Sequence, residues 1–117
     1  MPLEKVVYNL GKLGVLITGF LKGNIDLASL GMYDDIIEPA REPLIPVYFQ
    51  LKRKLLALGV SGVCVCGAGP SIMIMVKPDY KRINDVKKLI CREYKERGID
   101  VEILVTGIAP KAQILQP

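Results

Sequence analysis

The sequence of 117 residues has no histidine, no tryptophan and only three cysteines, Cys64, Cys66 and Cys91. Without histidine, imidazole acid–base chemistry is excluded, and any catalysis must rest on carboxylates, Lys, Arg or backbone amides. Three thiols without histidine are too few for a metal site. Cys64 and Cys66 stand two apart in an apolar run, which predicts both side chains on one strand face as small buried groups. Aromatic residues are scarce, five Tyr and two Phe, so rings do not alternate with basic residues as a nucleic-acid surface requires. No stretch reaches the roughly 20 apolar residues of a membrane span. The longest apolar region, 6–21, is broken by Asn9, Lys12 and several glycines. A secretory leader pattern is absent from the N-terminus, so the expected address is cytoplasmic.

What is present fits one domain large enough to bury a core without disulfides or metal. Half of the residues are hydrophobic and the mean hydropathy is +0.32, a balance that predicts apolar surface covered by a partner or by more of the same protein. The net charge of +4 is spread over Lys52-Arg53-Lys54 and over Lys81-Arg82 with Lys87-Lys88. Both clusters read as solvated helix faces.

Apolar residues recur at helical spacing from Leu3 to Leu21, after a Pro suited to a first turn. Gly11, Gly14 and Gly19 inside this helix predict close packing against another element. Asp26 is the expected cap of a short helix over 27–32, and Asp34-Asp35 the expected start of a further turn. Three prolines, Pro39, Pro43 and Pro46, predict a stiff connection outside regular structure. In it, Arg41 has two readings: solvated or paired locally with Glu38 or Glu42, or held out as a guanidinium fork toward a carboxylate or phosphate. A helix over 47–58 is expected to stop at a left-handed Gly59.

Residues 61–66 and 72–77 are apolar runs of strand length around Gly67-Ala68-Gly69-Pro70-Ser71, the pattern of a β-hairpin. The loop reads as a plain turn or as a surface whose amides a ligand approaches closely. A helix follows over 79–97, ended by Gly98. Residues 100–106 alternate like a half-buried strand, and 112–115 form a candidate edge strand. From residue 47 the order is αββαβ, an α+β, ferredoxin-like split βαβ with an antiparallel sheet, extra N-terminal helices and no first strand. That strand is expected from polypeptide upstream.

The segment Glu38-Pro39-Ala40-Arg41-Glu42-Pro43-Leu44-Ile45-Pro46, with Cys66-Gly67-Ala68-Gly69-Pro70-Ser71 after the next helix, resembles the C-terminal part of the homoserine kinases of the GHMP kinase superfamily. The resemblance implies transfer of the ATP γ-phosphoryl group to the hydroxyl of L-homoserine, with Mg²⁺, in threonine biosynthesis. It implies that Arg41 holds the substrate carboxylate, that Gly67 contacts homoserine, and that Gly67, Ala68, Gly69, Pro70 and Ser71 line the cleft. Cys66 stands where the family commonly has Ser. The family's phosphate-binding motif, Pro-x-x-x-Gly-Leu-Gly-Ser-Ser-x-Ala, occurs nowhere in the chain.

The expectation is therefore a single GHMP kinase C-terminal domain over 1–117. It supplies no catalytic residue or metal ligand and binds no ATP alone, and its partner is an N-terminal ATP-binding domain or subunit. An incomplete domain is expected to aggregate or to form a homodimer through its first helix. The alternatives are a free-standing ferredoxin-like regulatory module that binds a small molecule, and the C-terminal domain of a mevalonate or sugar kinase. Neither nucleic acid nor membrane is an expected partner.

Overall fold

A computed structural model describes residues 2–34, 36–66 and 71–107, with the side chains of Ile37 and Arg41 outside the description. Five helices and one hairpin follow in order: α1 Leu3–Leu21, α2 Ile25–Leu30, α3 Ile37–Arg41, a 3₁₀ turn Glu42–Leu44, α4 Tyr48–Ala57, β1 Gly62–Val65, β2 Ile72–Met75 and α5 Ile83–Lys95. The strands pair antiparallel, with Gly62 opposite Met75 and Val65 opposite Ile72.

The core lies where α4 and α5 pack on the hairpin. Tyr48, Leu51 and Leu55 recur at helical spacing on α4 and are buried against Val63 of β1 and Val86, Leu89, Ile90 and Tyr94 of α5. Gly59 (φ 89°) and Gly98 (φ 69°) close α4 and α5 with left-handed backbone, as expected of glycine after a helix. Val47 also has positive φ, 53°, an unfavourable state for a β-branched residue, and it sets the entry of the chain into α4.

Helices α1 and α2 form a separate layer. Gly19 is there because α2 crosses directly over it: a Cβ would collide with the backbone of Ala28. Gly31 likewise lies against the α1 backbone at Lys12 and Leu16. Gly11 and Gly14 differ from expectation, since a Cβ at either position would meet nothing within 4 Å. Of α1 only Gly19 is buried. Leu3, Val7, Leu10, Leu13, Ile17 and Leu21 are half or more exposed.

Several expectations are corrected. Asn24, not Asp26, caps α2, its side chain accepting from the Leu27 amide at 2.9 Å. The proline-rich connection is largely helical, because Pro39 falls in the first turn of α3, where a missing N–H leaves nothing unpaired. Residues 100–106 carry no strand. Alternation predicts a face, but a strand exists only through a neighbour's ladder, and no described strand pairs with this segment. Its Ile103 still packs on the core while Leu104 points to solvent. Cys64 is half-buried as a strand residue, whereas Cys66 falls beyond the end of β1 and is exposed. The expected strand at 112–115 lies outside the described residues. No described helix is long and apolar enough to cross a membrane.

Candidate functional site

Glu38 joins the first segment singled out in the sequence to the end of the strand that precedes the second. This residue sits in the first turn of α3, three positions before Arg41. Its helix is started by Asp34, whose carboxylate accepts from the amides of Ile36 at 2.8 Å and Glu38 at 3.0 Å. The same Asp34 accepts from the Asn9 side chain of α1 at 2.7 Å. The carboxylate of Glu38, only 4% exposed, reaches across to the end of β1, where Oε1 accepts from the Val65 amide at 3.2 Å. Val65 is two residues before Gly67.

Two α4 side chains complete this cluster. The Tyr48 hydroxyl donates to Glu38 Oε1 at 2.5 Å, and Lys52 Nζ donates to Oε2 at 3.3 Å. Lys52 also reaches the Met32 carbonyl at 3.4 Å and lies 4.8 Å from the centre of the Tyr33 ring. Each charge therefore has several partners, which a buried ion requires. Lys52 thus departs from the solvated face expected for Lys52-Arg53-Lys54, being 7% exposed. Its position one turn after Tyr48, beside Leu51, is the signal that the sequence offers for this. The Glu38 carboxylate is held by α4 and β1, while the Arg41 side chain lies outside the description.

Burial, then the hydrogen bond and charge of Glu38, drive the Tyr48 hydroxyl well above the usual phenol range. Tyr48 is a donor at all ordinary pH. The Cys64 thiol is pushed up to about 11, first by burial and then by Cys66 and Glu38, against the opposing pull of Lys52. It is therefore a packing group and not a thiolate nucleophile.

Arg41 ends α3. Gly67, Ala68, Gly69 and Pro70 lie outside the described residues. Ser71 is exposed immediately before β2, and its carbonyl accepts from the Cys66 amide at 2.8 Å, closing the base of the loop. At the opposite end of the hairpin, Asp26, Ser29, Ser61, Lys77, Asp79 and Tyr80 line a polar hollow. Lys77 and Asp26 bridge it at 2.8 Å. Among the described residues no group of three or more carboxylates or thiols converges in a way that could hold a metal ion.

The family described as GHMP kinases C terminal matches residues 9–96, three quarters of the chain. The chain belongs to the GHMP kinase C-terminal family. A homoserine kinase of Pyrobaculum islandicum is 39% identical over 106 residues, covering 91% of this chain and 35% of that protein. One from Sulfurisphaera tokodaii is 44% identical over 93 residues, covering 78% and 30%. The crystal structure of homoserine kinase from Cytophaga hutchinsonii superposes with a TM-score of 0.74 at 28% identity, over 86% of this chain and 31% of that one. The GHMP C-terminal fold, α+β with a two-stranded antiparallel sheet and helices, is thus shared with a homoserine kinase. This chain spans about a third of the length of the curated relatives it matches.

Proposed function

We propose that this domain is the acceptor side of an ATP-dependent homoserine kinase, completed by an N-terminal ATP-binding domain. The observation that carries the reading is the Glu38 bridge, which sets the Arg41 helix against the strand entering the glycine loop. The homoserine kinases that align over nearly the whole chain support the acceptor's identity. In this reading the Arg41 guanidinium clamps the substrate carboxylate, while Gly67 and the loop through Ser71 wall the cleft beside the acceptor hydroxyl. That hydroxyl oxygen forms the new bond to the γ-phosphorus as the bond to ADP breaks, and its proton is released. ATP with Mg²⁺ supplies the phosphoryl group. What the described part of this chain contributes is placement, a principal share of catalysis in phosphoryl transfer.

Two features support a companion domain. The apolar stripe of α1 is uncovered, and both the outer edge of the hairpin and residues 101–107 lack ladder partners among the described residues. The described residues also offer no metal-binding cluster, so the nucleotide and its metal are assigned to the companion. The cytoplasm is the compartment this reading implies.

The test joins this chain in frame to the upstream two-thirds of the Pyrobaculum islandicum homoserine kinase. The fusion is assayed with ATP on L-homoserine, mevalonate and galactose. Turnover of homoserine alone is expected, with no heat of ATP binding to the 117-residue chain by itself. Preference for mevalonate or galactose would assign another acceptor. A chain that binds an amino acid and melts cooperatively while the fusion is inactive would make it a regulatory module. Arg41→Ala in the active fusion is expected to cost about 2–5 kcal/mol in kcat/KM for homoserine, the range for unpairing a buried charge.

A further inference from the structure

We propose that Glu38 is a positioning residue: its carboxylate sets the placement of the helix carrying Arg41 relative to the strand that enters the glycine loop, and so governs affinity for the acceptor. The proposal rests on the acceptor-side reading above and adds to it a residue that touches no substrate. Three observations carry it.

The first is connectivity. Glu38 lies one helical turn before Arg41, and its bond to the Val65 amide ends two residues before Gly67. No backbone hydrogen bond among the described residues joins α3 to β1, so the side chain makes the join. The second is the number and direction of the donors. Oε1 takes Val65 N–H and the Tyr48 hydroxyl, and Oε2 takes Lys52. The donors come from two different elements, which leaves the carboxylate little freedom to turn. At 2.5 Å the tyrosine bond lies in the range of charge-assisted O–H···O⁻ contacts.

The third is energetic. Buried ion pairs seldom exceed well-packed apolar side chains in stability. Stability by itself therefore gives no reason for an acid and an amine here. A pair of apolar side chains would fill the space, but could not accept the Val65 amide and hold the β1 end to α3. Geometry is what the carboxylate supplies.

The experiment compares two double variants in the fusion that turns over homoserine, Glu38→Gln/Lys52→Met and Glu38→Leu/Lys52→Met. Both remove the charge pair without orphaning a buried charge, and they differ in whether an oxygen remains for Val65 and Tyr48. The leucine variant is expected to raise KM for homoserine about tenfold with KM for ATP within about twofold of the parent, since displacement of a binding group weakens the substrate it orients. The glutamine variant is expected to stay within about threefold of the parent for both substrates. Equal homoserine KM in the two folded variants overturns the proposal. If circular dichroism shows the leucine variant unfolded, Tyr48→Phe removes one donor to Glu38 with little change of volume. A rise of about threefold in homoserine KM is then expected, and no change overturns the proposal.

Should the unmutated fusion not phosphorylate homoserine, the functional reading fails while the bridge stays open to measurement in the 117-residue chain. There, Val65 amide exchange is expected to be about tenfold faster in the leucine variant than in the glutamine variant. Equal protection overturns the bridge itself.

Discussion

Helices α1 and α5 each carry apolar residues at helical spacing, and those residues have opposite fates. α5 buries Val86, Leu89, Ile90 and Tyr94 against α4 and the hairpin. α1, six residues longer, buries only Gly19. Its Leu3, Val7, Leu10, Ile17 and Leu21 repeat along an uncovered face. Periodicity specifies that a face exists and where it lies on the helix, while its partner has to be supplied by other residues. For α5 that partner is in this chain. For α1 the described residues supply it only at the α2 crossing and along the turn that follows α2, through Gly31 and Asp34.

The comparison is broken most directly at the buried cluster. Glu38→Ala leaves Lys52 buried without its carboxylate and is expected to lower stability by about 3–5 kcal/mol in urea unfolding. A loss under about 1 kcal/mol would mean that Lys52 escapes to water and that the cluster is not closed. Next, Leu55→Ala should cost about 2–5 kcal/mol, because the fully buried side chain leaves a cavity. The equivalent truncation on the open helix, Ile17→Ala, should change stability by less than about 0.5 kcal/mol in the chain alone. A large loss at Ile17 would show its face covered, for instance in a dimer visible by sedimentation.

The thiol of Cys64 gives a pH test of the covered region. Burial keeps it protonated in the folded state up to about 11, whereas an ordinary thiol releases its proton near 9.0. Between those values the folded chain holds more protons than the unfolded one, so stability falls as pH rises. Its contribution is fully present below pH 9.0 and declines toward 11, by at most about 3 kcal/mol and by less in so far as solvent reaches this half-buried thiol. Thermal melts across this range should show the fall, and Cys64→Ala should make it shallower. Tyr48, raised through burial and Glu38, adds to the fall from about pH 10.0 upward. At the uncovered layer, Asn24→Ala removes the α2 cap at a cost of about 1 kcal/mol, read from the same melts and still above the change expected for Ile17→Ala.

Much of the architecture is legible in the residues. The long first helix, the helix closed by Gly59, the hairpin and the helix ended by Gly98 each announce themselves by period and by a punctuating glycine. The resemblance to homoserine kinases rests on Glu38-Pro39-Ala40-Arg41 and the glycine loop, and the family match covers both segments. The readings that miss concern contacts between distant residues. The partners of Glu38 among the described side chains are 10, 14 and 27 residues away, beyond the reach of any local pattern. Lys52 reads as one of three solvated basic neighbours, although its place one turn after Tyr48 directs it inward. The strand expected at 100–106 has the alternation of a strand but no neighbour among the described residues with which to form one.

Local order in this protein was determined by the sequence itself, since helix period, proline placement and glycine stops act over a few residues. Tertiary structure alone decided which charges are buried and which faces stay open. A lone carboxylate or an apolar stripe has no fixed energy of its own, and its cost or gain depends on which donors, cations or side chains from elsewhere in the fold arrive beside it.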